Sequence, residues 1–355
     1  MAALNEIPVT IIVSGRNSST TLRSCLESLA GQDYPIGEIL CFDNRSTDDS
    51  REIAYAVAES SSVPIRVIDG GEGGTLSSAY NKGAQMATCD IIVLCHSDCM
   101  IPSSGELRKL ITPLVADPSA SAAYPIQLMP REVWSKFPFW QKFLFASAVE
   151  RVGHMRCAMF DAVRRDLYVK AGGFNEKRFT STCGYGGEDN DAQVRFSKYG
   201  KQLFTEARVV HLHAFSVGFG FRSYLGTRAL LARTYGKQLR WQKGVKERSN
   251  LLFFVRPALA VLPLVACLPF AFGLCRLGIG SVIAAVGLQL LFSLFVSRKM
   301  YRYRETLLDW RILLVLPATW FMIYYETFWF FQGLFTPYAD EQSRSNVSTS
   351  EEDLL

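Results

Sequence analysis

The chain has 355 residues, of which 20% are charged and 49% hydrophobic, with a formal net charge of +5. That length holds one large α/β domain and an appended module, and those proportions exclude both a disordered chain and a fully membrane-embedded transporter. The basic residues thicken around 222–248 and 298–311, beside apolar runs, a placement that suits anionic lipid headgroups rather than nucleic acid.

In chain order, residues 8–14 form a short β-branched run, followed by the N-cap cluster Asn17-Ser18-Ser19-Thr20. Leu22, Cys25, Leu26 and Leu29 then recur at helical spacing, so the reading is strand, turn, helix. Residues 38–42 repeat the strand signal and end at Asp43-Asn44-Arg45-Ser46-Thr47-Asp48-Asp49-Ser50, before a second helix to about residue 59. A third strand is predicted over 65–68, a third helix over 76–86, an apolar fourth strand over 90–95 and a further helix over 103–116. Strands that alternate with helices and are apolar on both faces predict a mostly parallel, Rossmann-like sheet covered on both sides. Ligands of such sheets bind beyond the carboxyl ends of the strands, where Ser14 to Asn17, Asp43-Asn44 and His96-Ser97-Asp98 fall.

Further along, Gly184-Tyr185-Gly186-Gly187-Glu188-Asp189-Asn190-Asp191 joins glycines to acidic side chains just before a helical pattern over 193–199. Glycines let a backbone approach a ligand closely, and a carboxylate at a helix start is both oriented and exposed. Helix capping accounts for one of these acids and leaves the glycine run unexplained. His211 and His213, half of the chain's four histidines, lie two apart on the strand-like segment 208–213 and share a face. Either could complete a metal's coordination; the other reading is satisfied core imidazoles. Asp98 at a strand end suits a hard divalent cation that neutralises a diphosphate. Asp43 could accept the imide N–H of a uridine-like base or serve as a turn former.

The last third is of another kind. Residues 251–272, 278–296 and 312–331 are each long and apolar enough to cross a bilayer. Arg240, Lys243, Lys246 and Arg248 precede the first run, and Arg298, Lys299, Arg302, Arg304 and Arg311 join the second to the third, so both segments are expected in the cytosol. Three spans then place the acidic tail, with its Asn346-Val347-Ser348 sequon, on the opposite face. Glu326 sets a carboxylate at membrane depth, which is costly unless it faces protein or water. Nine cysteines without a CxxC pair or disulfide framework, and a start at Met1 with no charged-then-apolar leader, fit a cytosolic catalytic part. The predicted organisation is a catalytic domain over 1–220, a basic amphipathic interfacial segment over 221–250, three transmembrane helices over 251–335 and an acidic tail over 336–355.

Over about residues 7–216 the chain resembles a family 2 glycosyltransferase of the GT-A fold. The resemblance rests on an ordered series: Ser14-Gly15-Arg16-Asn17, Asp43 through Ser50, Asn81-Lys82-Gly83, Ser97-Asp98, Gly172-Gly173-Phe174-Asn175-Glu176 and Gly187-Glu188-Asp189-Asn190-Asp191. It implies that Asp43 contacts the base, that Asp98 binds metal and diphosphate, and that Asp189 is the catalytic base with Glu188 as its acidic neighbour. It further implies donor contacts from Ser14, Arg16, Asn17, Asn81, Lys82 and His96, and a Mn2+ or Mg2+ ion at Asp98 with His211 or His213. The implied activity is inverting transfer from a nucleotide sugar, with a UDP-sugar favoured, to a lipid-linked or polysaccharide acceptor at the membrane. Two departures stand out: the family's DxD is here His96-Ser97-Asp98, and the Gln-x-x-Arg-Trp motif of processive synthases is not matched by Lys237-Gln238-Leu239-Arg240-Trp241. Arg240 and Trp241 could bind diphosphate and sugar or mark the membrane interface. The imidazole at residue 96 also motivates a different reading, a catalytically weakened nucleotide-binding or scaffold subunit of a membrane complex.

Overall fold

The computed structural model describes residues 6–71, 74–154, 158–176, 188–213, 218–241 and 254–336. It divides into two compact units, one of residues 1–133 and 150–215 and one of residues 134–149 and 216–355. The sequence boundary at 220 is close to this division, but it leaves residues 134–149 with the catalytic part, whereas they cluster with the helical unit.

The first unit is built on a sheet whose described strands are β1 (Val9–Gly15), β2 (Ile36–Asp43), β3 (Ile65–Asp69), β4 (Ile91–His96), β5 (Cys99–Met100), β6 (Ala120–Leu128), β7 (Gly153–His154), β8 (Asp161–Arg164) and β9 (Lys201–His211). Their spatial order is β3-β2-β1-β4-β8-β6-β9-β5, with β7 on β6. The strands β3, β2, β1 and β4 pair in parallel, as the alternation with helices predicts. Beyond β4 the sheet becomes mixed, because β8 runs antiparallel to both β4 and β6 while β6 and β9 are parallel. The expectation of a mostly parallel sheet therefore holds for its first half. Pro125 lies inside β6, where it cannot donate to a ladder, and the β6–β9 register shifts between Tyr124 and Ile126.

Successive side chains of a strand point to opposite faces, and this separates two apolar layers. Ile11, Val13, Ile39, Cys41 and Val93 pack with Leu22, Cys25, Leu26 and Leu29 of α1 (Leu22–Ala30), with Val57 of α2 (Ser50–Ser60), and with Leu107, Leu110 and Leu114. The opposite face carries Ile12, Leu40, Phe42, Ile92 and Leu94 against Ala79, Tyr80 and Ala84 of α3 (Leu76–Met86). The start of α3 is fixed by reciprocal bonds: Ser78 N–H donates to Thr75 Oγ1 at 3.1 Å, and Thr75 N–H to Ser78 Oγ at 2.8 Å. Two further helices of this unit are α4 (Glu106–Ala116) and α5 (Glu188–Phe196).

The helical unit contains α6 (Phe221–Trp241), α7 (Val255–Ala266), a short turn of helix over Leu268–Ala271, α8 (Cys275–Ser297) and α9 (Ile312–Phe335). Helix α6 lies backbone to backbone with α9: a Cβ on Gly236 would stand 2.1 Å from the Phe330 carbonyl oxygen, and one on Gly333 2.0 Å from that of Arg233. Small residues at such a contact allow a closer approach than any side chain permits. The predicted interfacial segment is thus, over 221–241, a packed helix; residues 242–250 lie outside the described residues. Helix α8 continues to Tyr301, and it and α9 are the described helices long and apolar enough to cross a membrane; the apolar stretch over 255–271 is shorter and is interrupted at Cys267. The first of the three expected spans is therefore a broken helix rather than a single long one. Helix α8 also inverts the usual soluble pattern, since its buried residues are Gly278, Ala285, Gln289, Ser293 and Ser297 while Ile283, Leu291 and Phe295 are exposed. Gln289 ties three helices together, donating to the Leu259 carbonyl at 2.7 Å and accepting from Trp320 Nε1 at 2.8 Å.

Candidate active site

The carboxyl ends of β1, β2 and β4 lie side by side, because β1 pairs with both neighbours to its last residues, Ser14 with His96 and Gly15 with Asp43. Ser14 is buried and its Oγ accepts from Asn44 Nδ2 at 3.0 Å. Gly15 must lack a side chain, since a Cβ there would stand 2.2 Å from Ser97 Oγ. Asn17 has a left-handed backbone, φ 52°, and accepts from Thr47 N–H at 2.8 Å, while Arg16 is exposed. Asp43 is buried and held by Arg51, whose Nε donates at 2.9 Å and whose Nη2 also reaches Asp69 at 3.2 Å. Its other oxygen accepts from Ser46 N–H at 3.2 Å. Lys82 Nζ donates to the Gly70 carbonyl at 3.1 Å.

Asn81, expected at the donor, is bonded within the chain. Its amide nitrogen donates to the Phe174 carbonyl at 2.9 Å and to Glu176 Oε1 at 2.6 Å, while its oxygen accepts from Tyr168 Oη and Phe174 N–H, each at 2.8 Å. These bonds tether the turn around Gly173. Gly173 has φ +58°, and a Cβ there would stand 2.2 Å from Asn81 Oδ1.

One step past β4, the two-residue β5 pairs antiparallel with the end of β9, Cys99 opposite His211. This sets Asp98 against His211, whose Nε2 lies 2.9 Å from Asp98 Oδ2. His96 joins them, and the three ligating atoms all lie within 4.8 Å of one another. Burial pushes the His96 imidazole down to about 4, so at neutral pH its ring keeps a free lone pair. Burial alone would raise the Asp98 carboxyl; the charge and hydrogen bond of His211, with His96 and His213, outweigh it and hold the group well below the usual carboxylate range. The ring of His213 lies 3.6 Å from that of His211, and its own pKa is driven well down by burial and then by His211. The His96 Nε2 atom is buried without a hydrogen-bond partner, an orphan that a cation would satisfy. Two imidazoles and a carboxylate form a mixed nitrogen and oxygen set that accommodates Mn2+.

The acidic run begins α5, where Glu188 is buried and Asp189 is largely so, with Asp189 Oδ1 lacking a partner. Burial first, then Glu188 and Asp161, raise the Asp189 carboxyl well above its ordinary value. Asp191 is already spent on Arg195, which donates at 2.9 Å. The glycines at 184, 186 and 187 lie outside the described residues, as does the side chain of Asn190. Arg240 caps α9, donating to the carbonyls of Leu334 at 3.3 Å and Thr336 at 3.1 Å, a structural use of a cation at a helix end. The side chain of Trp241 is outside the described residues.

Sequence reasoning missed three residues. Gln127 of β6 stands with Nε2 3.3 Å from His211 Nδ1. Asp161 lines a cleft with Asp189, Tyr124 and Phe174. Arg51 clamps Asp43. None sits in a recognisable motif; only the fold brings them to the site.

A family model described as glycosyl transferase family 2 matches residues 10–170. Over those residues the chain is similar to family 2 glycosyltransferases. In fold it is similar to the mannosyltransferase PcManGT from Pyrobaculum calidifontis, solved with GDP-Man and Mn2+, at 18% identity and a TM-score of 0.53, over 91% of this chain and 88% of that one. It is also similar to glucosyl-3-phosphoglycerate synthase from Mycobacterium tuberculosis, solved with phosphoglyceric acid, at 17% identity and a TM-score of 0.46, over 68% of this chain and 82% of that one. None of the curated proteins matches the chain in sequence. The GT-A architecture agrees with the mixed sheet.

Proposed function

We propose that the protein is an inverting glycosyltransferase that takes a sugar from a nucleoside diphosphate donor to an acceptor held at a membrane. The observation that carries this reading is the convergence of His96, Asp98 and His211, with the buried and unpartnered His96 Nε2, at the carboxyl end of β4. These residues would hold a divalent cation, which as a Lewis acid supplies charge neutralisation for a diphosphate leaving group. The histidine in place of the family's first aspartate therefore keeps a ligand at that position, and the scaffold reading loses its motive.

Asp189 serves as general base. Its raised pKa brings the carboxyl closer to the operating pH, where a base is most effective, and its buried Oδ1 has no hydrogen-bond partner within the chain and would accept from an acceptor hydroxyl. A single displacement needs one base only: the hydroxyl proton passes to Asp189 as its oxygen attacks the anomeric carbon and the bond to the diphosphate oxygen breaks. Glu188 and Asp161 keep that carboxyl's affinity for the proton high. Ser14, Asn17, Asp43 and Lys82 line the strand ends where the nucleoside would lie.

Membrane attachment is supported by α8 and α9, each long and apolar enough to span, and by the polar-in, apolar-out arrangement of α8. The stretch over 255–271 would be about 25 Å long at 1.5 Å per residue, close to a thinned hydrocarbon core. Counting it as a crossing keeps both basic segments, before residue 251 and over 298–311, in the cytosol with the nucleotide sugar. An acceptor carried on a lipid or a growing polysaccharide fits such a tether. Release of nucleoside diphosphate from a panel of UDP- and GDP-sugars, measured on full-length protein in detergent with and without lipid-linked acceptors, tests the reading; no turnover with any donor would overturn it.

A further inference from the structure

The helical unit carries one concentration of charge that the transfer chemistry leaves unused. Glu326 lies in the middle of apolar α9 with its side chain 7% exposed. Its Oε1 accepts from Arg228 of α6, Nε at 2.8 Å and Nη2 at 2.6 Å, and its Oε2 from Arg256 of α7 at 3.0 Å. The expectation that a carboxylate at this depth needs a polar partner is met. One guanidinium, however, would neutralise it. Two leave a net positive charge among apolar helices, where an uncompensated cation is costly.

The cluster is also asymmetric. The arginine side chains keep 21% and 30% exposure against 7% for the carboxylate. Each guanidinium has five N–H donors in a planar fork that matches phosphate oxygens, and Glu326 engages Nε and Nη2 of Arg228 and Nη1 of Arg256. Arg256 is further steadied by Phe292, whose ring centroid lies 5.8 Å from its guanidinium carbon. We propose that Arg228 and Arg256 form a binding site for a phosphate group carried by a membrane lipid, with Glu326 as the internal counter-charge that holds the two guanidinium groups side by side. The site belongs to the helical unit alone and does not depend on the assignment of the transfer chemistry. Its ligand class is a phosphate monoester or diester, from a lipid headgroup or from free phosphate.

The test uses full-length protein in nanodiscs of zwitterionic phosphatidylcholine, with native mass spectrometry and thermal melting as readouts. A long-chain prenyl monophosphate, the corresponding prenyl alcohol and inorganic phosphate are titrated separately. The site predicts retention of the prenyl monophosphate but not the alcohol, and an affinity loss of about tenfold or more in Arg228→Gln and in Arg256→Gln, as befits charge-assisted bonds. Arg256→Lys, which keeps the charge but not the fork, should lose less. Glu326→Gln should bind several-fold tighter, whereas a merely structural ion pair predicts no gain from that change. Inorganic phosphate that binds as tightly as the lipid, with the same dependence on both arginines, would support the site and assign its occupant to the soluble pool. Unchanged affinity in a folded Arg256→Gln variant, or equal retention of alcohol and phosphate, overturns the proposal. Should Glu326→Gln fail to melt cooperatively, the comparison of Arg256→Gln with Arg256→Lys decides alone.

Discussion

Replacing Asp189 by Asn should remove activity and add stability. The carboxyl is nearly buried, its Oδ1 has no partner, and burial with Glu188 and Asp161 raises its pKa well above the ordinary value. A folded-state pKa above the unfolded one means that folding is linked to proton uptake. Stability is then full below the unfolded value and declines as pH rises through the window up to the folded pKa. Each unit of that difference is worth about 1.4 kcal/mol. At neutral pH the wild-type protein bears this cost and an uncharged Asn does not. The variant should therefore melt at higher temperature than wild type at neutral pH, and the gap should close as pH falls below the usual carboxylate range. Loss of a general base should lower kcat by about two to four orders of magnitude, with donor affinity nearly unchanged. Wild-type activity should rise with pH as the raised pKa is passed. Paired melting curves and transfer rates across pH check these statements. A folded variant that still transfers at the wild-type rate refutes the base assignment, and one that is less stable at neutral pH refutes the strained, unpartnered carboxylate.

Other consequences follow from single contacts. Gln127→Ala should weaken Mn2+ binding by about ten- to a hundredfold, because an outer hydrogen bond orients the His211 ring; unchanged affinity by titration calorimetry would exclude that role. Gly333→Val drives a side chain into the Arg233 carbonyl and should cost at least about 1–3 kcal/mol, read as a lower melting temperature in detergent. Cys267 and Cys275 are exposed while Cys25, Cys41, Cys89, Cys95 and Cys99 are buried, so with Cys157 and Cys183 replaced by Ser an impermeant maleimide reports one place only. If 255–271 crosses the membrane, labelling occurs from the side opposite the catalytic domain; labelling from the same side shows that it does not cross.

The first half of the sheet was legible because β1 to β4 are apolar runs separated by helices with a clear 3.6-residue period, and because Asp43 and Asp98 end or follow strands. The second half was not. β6 reads Ala-Ser-Ala-Ala-Tyr-Pro-Ile-Gln-Leu, with small residues and a proline where β-branched ones are expected, and β8 has four residues, too few to show a period. Both exist through nonlocal pairing with β4 and β9. His211 was found because histidines are rare here, yet its partner Gln127 lies 84 residues away. Asn81 was assigned to the donor by its motif, and its bonds to Phe174, Glu176 and Tyr168, 87 to 95 residues away, could not be read from sequence. The apolar runs were visible from composition, whereas the break at Cys267 depends on how 254–274 folds, which hydropathy does not encode.

The most direct test of the central claim is donor cleavage by the purified full-length protein, followed as nucleoside diphosphate release with Mn2+ present, after EDTA, and in Asp98→Ala. The account predicts release with at least one UDP- or GDP-sugar, abolished by EDTA and restored by Mn2+, and a loss of Mn2+-dependent donor binding in Asp98→Ala. Release that proceeds unchanged in EDTA, or at the wild-type rate in Asp98→Ala, would contradict it.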